Sequence, residues 1–178
     1  MKKILGLAGE IASGKGTVAK YIVDKHNGSA HRFSGILRDL AGRLYLEENR
    51  DNLQKMSTAA REYFGQDILC KTIYHDVLED KHKRIAIDGV RRFQDVEKLK
   101  EIPGFYLVYI EADLETRFQR LRNRDENTDD KGKILEEFKQ DGQKEAELQI
   151  KDLKKRADVV VDNSGSFEDL YSQLDKIL

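Results

Sequence analysis

Gly9-Glu10-Ile11-Ala12-Ser13-Gly14-Lys15-Gly16-Thr17 is the stretch from which the rest of the chain can be read. The apolar run Ile4-Leu5-Gly6-Leu7-Ala8 before it reads as a buried strand. After it, Val18, Ala19, Ile22 and Val23 recur at helical spacing up to a stop at Asn27-Gly28. Strand, glycine-bounded loop and helix are the setting of a phosphate-binding P-loop. Four residues separate Gly9 from Gly14, so the backbone can curl with several N–H groups aimed into one concavity. That nest and the positive end of the following helix form an anion site suited to a nucleoside triphosphate. Lys15 adds a full positive charge for the β- and γ-phosphates. The candidate nucleotide-binding residues here are Gly9, Ala12, Ser13, Gly14, Lys15, Gly16 and Thr17, with the Thr17 hydroxyl a candidate magnesium ligand.

Beyond this stretch, composition bounds the classes. The 178 residues are 37% charged with a net charge of −1, which speaks against a general nucleic-acid binder. Cys70 is the sole cysteine, so no internal disulfide forms, and its apolar helical surroundings predict a buried, inert thiol. No apolar run approaches the length of a membrane span, and Glu10 and Lys15 interrupt the one that follows the basic start. The expectation is a cytoplasmic protein. Strand-like runs at 4–8, 85–88, 105–110 and 158–162, and a weaker one at 30–33, alternate with amphipathic helices. This alternation predicts a three-layer α/β/α fold around a central parallel sheet, with ligands at the carboxyl ends of the strands. The whole chain, 1–178, is expected to be one domain, with a helical acceptor-binding insertion at about 34–80 and a short lid at about 120–140.

Further landmarks lie near the predicted strand ends. Ser34 reads as an N-cap, with Arg38 one turn into an otherwise apolar helix. Apolar positions 53, 56, 60, 64, 68, 69, 73 and 77 mark helices on the core, and Arg61 and Asp67 fall off that stripe. The strand Arg84-Ile85-Ala86-Ile87-Asp88 ends on a carboxylate, as a Walker B strand does, followed by Gly89, Arg91 and Arg92. Arg117, Arg120 and Arg124 share one helix face. The charged run from Asp125 to Gly132, with Asp129 and Asp130, reads as a mobile lid, and residues 138–155 as helix. After the last strand, Ser166 and Asp169 form a capping box.

Several of these segments resemble known kinases. The Gly14-Lys15-Gly16-Thr17 ending resembles the GxPGxGKGT loop of adenylate kinase and other nucleoside monophosphate kinases. Ile11 and Ala12 depart from it, and Ala12, where that family often has glycine, is expected to take an ordinary backbone conformation. Leu37-Arg38 resembles the monophosphate-binding helix, which implies that Arg38 contacts the acceptor phosphate. The segment around Arg61 resembles deoxynucleoside monophosphate kinases and implies the same for Arg61. Asp88-Gly89 resembles the DGFPR segment, implying that Asp88 meets Mg²⁺ and that Arg91 or Arg92 holds the acceptor phosphate. The arginine helix resembles a lid entry, implying Arg120 over adenine and Arg124 at the transferring phosphoryl group. The ending Asp162-Asn163-Ser164-Gly165-Ser166 resembles dephospho-coenzyme A kinase and implies that Asn163 and Gly165 line adenine.

Taken together, these resemblances imply a phosphotransferase using ATP and Mg²⁺, with Lys15, Asp88, Arg120 and Arg124 catalytic. The first-choice acceptor is a (deoxy)nucleoside monophosphate. The alternatives are dephospho-coenzyme A as acceptor, or a nucleotide-binding ATPase of the same fold. The implied partner is a small-molecule nucleotide, without nucleic acid or membrane, for a monomer or homodimer.

Overall fold

Apolar runs too short for a helix, and buried on both sides, are what the inner strands of a parallel sheet require. β1 (Lys3–Ala8), β3 (Arg84–Asp88) and β4 (Phe105–Glu111) are such runs. A computed structural model describes residues 2–123, 134–142 and 145–178. In it these strands form the middle of a five-stranded sheet, edged by β2 (Ser29–Arg32) and β5 (Val159–Asp162). The order is β2-β3-β1-β4-β5 and every pairing is parallel.

Alternation along the strands divides the core between two faces. Ile4, Ala8, Ile85, Ile87, Leu107 and Tyr109 point to the face covered by α2 (Phe33–Arg43), α3 (Arg50–Phe64), α4 (Ile68–Glu79), α5 (Phe93–Leu99) and α8 (Glu145–Leu153). Leu5, Leu7, Ala86, Val108 and Ile110 point to the other face, covered by α1 (Lys15–His26) and α9 (Phe167–Asp175). The three-layer α/β/α fold expected from the sequence is therefore present. A third, small cluster joins Phe118 and Leu121 of α6 (Leu114–Asn123) to Phe138 of α7 (Leu135–Asp141), with Ile11, Ala12 and Leu135 against it.

Central β1 has β3 on one side and β4 on the other, so connections leave in opposite directions from its carboxyl end. That divergence opens the crevice where ligands of open α/β sheets bind. Among the described residues no helix is long and apolar enough to cross a membrane.

Four local expectations change. Phe33 is the first residue of α2 rather than the end of β2, because its ring is buried on the core. The extended cap position therefore falls on Arg32, and Ser34 lies inside the helix without capping it. The continuous helix expected over 138–155 is two, α7 and α8, which serve different cores: Phe138 packs in the small cluster, Ile150 and Leu153 against the sheet. Phe64, expected on the buried stripe, is 74% exposed, since α3 ends there and the chain turns away at Gly65. Cys70 does follow expectation: it is buried, its thiol donates to the Asp95 carbonyl at 3.6 Å, and burial pushes its pKa up to about 12.

Candidate active site

The loop between β1 and α1 is built from backbone that side chains would obstruct. Gly9 has φ +148°, and a Cβ there would lie 2.2 Å from the Ile110 carbonyl oxygen. Gly14 has φ +101°, with its missing Cβ 2.0 Å from the Asn163 Nδ2. Ala12 adopts φ +60°, the left-handed region, which corrects the ordinary conformation expected of it. The cost, about 1–2 kcal/mol for a residue with a Cβ, is borne because Ala12 is packed against the Phe118–Leu121–Phe138 cluster. The loop thus follows a glycine-like path although its sequence lacks that glycine.

Gly14 caps α1 with no side-chain acceptor, and no acidic residue stands in the first turn, so neither a cap nor a first-turn acid offsets the helix's positive end. Lys15 Nζ lies over the loop, donating to the carbonyls of Gly9 at 2.7 Å and Glu10 at 3.0 Å.

Two distant residues complete this side. Asn163, 2% exposed at the end of β5, donates from Nδ2 to the Ser13 carbonyl at 2.8 Å. Arg120 brings an Nη1 to 3.9 Å from the Gly14 Cβ position. Among the described residues, Ser13 Oγ, Arg120 Nη1 and Asn163 Oδ1 are buried without hydrogen-bond partners. Three such atoms around one loop mark a place that a polar ligand completes. Gly165 lies in the turn beyond, its Cβ position 3.1 Å from the capping Asp169 Oδ2. Gly16 faces open space, and Thr17 is partly buried on the first turn of α1. Arg124, Asp129 and Asp130 fall outside the described residues.

Asp88 ends β3, opposite Leu7 of β1 and Arg32 of β2. It is buried, and Arg32 Nε approaches its Oδ2 at 3.2 Å. Sequence reading missed Arg32, since a single arginine before Phe33 carries no motif; only the strand register brings it to Asp88.

Next to Asp88 lies a cationic group built from α3 and the start of α5. Arg61 is partly buried and donates to Ser57 Oγ at 3.1 Å, while its Nε has no partner among the described residues. Burial lowers its pKa. Arg92 lowers it further, and Arg91 adds to this against the opposing charge of Asp95. Arg92 donates to Gln66 Oε1 at 3.3 Å, and Arg91 is exposed. Asp95, 3% exposed, has a raised pKa because burial outweighs Arg61 and Arg92. Asp95 and Gln66 also escaped the sequence reading: an aspartate in a first helical turn looks like an ordinary dipole partner. Arg38 instead pairs with Glu48, 3.2 Å away. Of the arginines expected at the acceptor, the structure groups Arg61, Arg91 and Arg92.

Fold and site define a P-loop nucleotide-binding domain built like the P-loop kinases. The profile of a family described as an AAA domain matches residues 5–161, and the chain belongs to that family. It is 33% identical over 181 residues to a UPF0200/UPF0201 protein of Archaeoglobus fulgidus, spanning 99% of this chain but only 55% of that longer relative. A UPF0200 protein of Hyperthermus butylicus is 26% identical over 175 residues, covering 98% of this chain and 92% of its own length. Among solved structures, shikimate kinase from Bacteroides thetaiotaomicron superposes with a TM-score of 0.62 at 16% identity, covering 98% of this chain and 96% of its own. TT1252 from Thermus thermophilus gives a TM-score of 0.61 at 18% identity over 99% and 96%. These likenesses carry the fold.

Proposed function

We propose that this protein is an ATP- and magnesium-dependent phosphotransferase whose acceptor is itself phosphorylated, with a (deoxy)nucleoside monophosphate the first choice. One observation carries the acceptor half of this reading: Arg91 and Arg92 stand near enough to partly buried Arg61 to lower its pKa against the opposing charge of Asp95. A phosphate dianion balances that excess, and guanidinium groups suit its oxygens. The donor half rests on the P-loop nest and the three polar atoms around it that have no partner among the described residues.

In this reading Lys15 exchanges the carbonyls of Gly9 and Glu10 for β- and γ-phosphate oxygens. Arg120, with its Nη1 3.9 Å from the Gly14 Cβ position, holds the donor nucleotide at the P-loop, and Arg124 by resemblance neutralises charge on the transferring phosphoryl group. Phosphoryl transfer asks of a protein chiefly positioning and such neutralisation. The Thr17 hydroxyl and Asp88 carboxylate are hard oxygen donors that fit Mg²⁺, which takes few protein ligands besides phosphate and water. Among the described residues no group of three or more acidic, His or Cys side chains competes as a metal site. Bound there, the ion would offset the β/γ-phosphate charge. Asp88 would also orient the attacking oxygen.

The test is ADP formation from MgATP with a panel of ribo- and deoxyribonucleoside monophosphates and dephospho-coenzyme A. Stimulation by one or a few monophosphates is expected. Stimulation by dephospho-coenzyme A alone would move the assignment to that acceptor, towards which the Asn163-Ser164-Gly165 turn points by resemblance. Slow turnover indifferent to the whole panel would overturn the transferase reading in favour of a nucleotide switch.

A further inference from the structure

Glu10 poses a problem for an anion site: it places a carboxylate inside the loop that is to receive a triphosphate. Its Oε1 lies 3.3 Å from Arg117 Nη2 and 3.6 Å from Lys151 Nζ. Arg117 is 7% exposed although it belongs to the basic face of α6. It also donates from Nη1 to the Ile11 carbonyl at 3.4 Å and from Nε to the Ala112 carbonyl at 3.1 Å. Its guanidinium stands 5.5 Å from the centre of the Phe138 ring. One side chain therefore holds consecutive loop residues, Glu10 and Ile11, to α6 and α7, directly before left-handed Ala12. Lys151 reaches the same carboxylate from α8 and also donates to the Gly142 carbonyl at 3.1 Å.

We propose that Arg117 is a positioning residue of the phosphate-binding loop, acting through Glu10. It cancels the carboxylate's charge towards the nucleotide and pins the turn that keeps the loop amides convergent. This rests on the nucleotide-binding reading above and adds a residue that touches no substrate. The ion pair has a definite electrostatic consequence. Removing Arg117 alone leaves the Glu10 carboxylate with Lys151, at 3.6 Å, as its remaining cation and so adds uncompensated negative charge to the phosphate loop, whereas removing both charges does not. A purely structural strut predicts the reverse order, because each further loss only loosens the loop.

The experiment is calorimetric titration of MgADP into the full chain, with thermal melting to confirm folding. Arg117→Met is expected to bind about tenfold more weakly than wild type, and Arg117→Lys to recover most of that loss. The double variant Glu10→Gln/Arg117→Met is expected to bind several-fold more tightly than Arg117→Met. A double variant no tighter than the single one, or an Arg117→Met chain with wild-type affinity, overturns the proposal. Should Arg117→Met fail to fold, Lys151→Met and Glu10→Gln/Lys151→Met provide the same comparison at an exposed position, with a loss of about two- to fourfold expected for the single change. Wild-type protein that binds no MgADP would instead overturn the nucleotide-binding reading itself, and this inference with it.

Discussion

Gly9 and Gly16 flank the same loop, yet substitution should act on them in opposite directions. A methyl group at Gly9 meets the Ile110 backbone carbonyl at 2.2 Å, and neither the strand nor the loop can move aside. Gly9→Ala is therefore expected to cost about 2 kcal/mol or more, measured by chemical denaturation. At Gly16, in the first turn of α1, a Cβ finds nothing within 4 Å. Gly16→Ala should stabilise by about 0.5–1 kcal/mol through helix propensity; a loss of stability would mean that a Cβ at this position does meet a neighbour. The arginines can be ranked in the same way. Arg61→Met removes a partly buried cation from the Arg91–Arg92 group and should raise the acceptor KM by about tenfold or more while the ATP KM stays near wild type. Arg38→Ala breaks a pair with Glu48 at 3.2 Å, and its effect on acceptor KM should be the smaller of the two. Equal effects would return Arg38 to the phosphate position that its resemblance implies. The difference between these residues was not legible in the sequence, where Arg38 and Arg61 were both arginines on acceptor-like helices. Partners such as Glu48, Ser57 and Asp95 become neighbours only after the helices pack.

Between residue and molecule stand the elements, and here the sequence was most informative. Strands β1, β3, β4 and β5 lay within a residue or two of their apolar runs, because a buried parallel strand has little freedom in composition. What escaped were boundaries set by tertiary partners: Phe33 drawn into α2 by the core, and α7 parted from α8 because they bury side chains in different clusters. Arg32 carried no motif and Arg117 read only as part of a basic helix face for the same reason, since each acquires its role from an element far away in the chain. The edge strand β2 shows how such a partner operates. Asp80, just beyond α4, accepts hydrogen bonds from Ser29 Oγ, from His31 Nε2 at 2.8 Å, and from the backbone and ring of His82 at 2.8 and 2.7 Å. Burial alone would raise its pKa, but those hydrogen bonds together hold it well below the usual carboxylate range. A carboxyl depressed in the folded state contributes fully above its unfolded value, about 3.9, and loses that contribution as pH falls towards the depressed one. Asp80→Ala should thus cost about 2–3 kcal/mol at neutral pH by leaving several donors unpaired. The gap between variant and wild-type unfolding curves should narrow below about pH 4. A gap that stays constant down to pH 2 would mean that the Asp80 charge contributes nothing.

At the scale of the whole molecule, the two halves of the site hang from opposite sides of β1. The P-loop, Arg120 and Asn163 gather towards the β4–β5 side, whereas Asp88 and the Arg61–Arg92 group belong to the β3 side. Donor and acceptor should therefore bind separately, and linkage provides a test that needs no turnover. A ligand that binds only the folded chain stabilises it by about 2.7 kcal/mol at a hundred times its Kd. For a chain of this size that is a rise in Tm of roughly 5–10 °C. MgADP and the accepted monophosphate should each raise Tm, and together by more than either alone. Lys15→Ala should abolish the rise with MgADP while retaining that with monophosphate, and Arg61→Met should show the opposite pattern. That crossed loss distinguishes two sites from one. In a nucleotide switch with a single site, a monophosphate would compete with MgADP, the combined rise would not exceed the larger single one, and Lys15→Ala would remove both. Such an outcome would leave Arg61, Arg91 and Arg92 as a structural cluster around Asp95 and would end the case for a phosphorylated acceptor. The crossed pattern would place the transferred phosphoryl group between them, above the carboxyl end of β1.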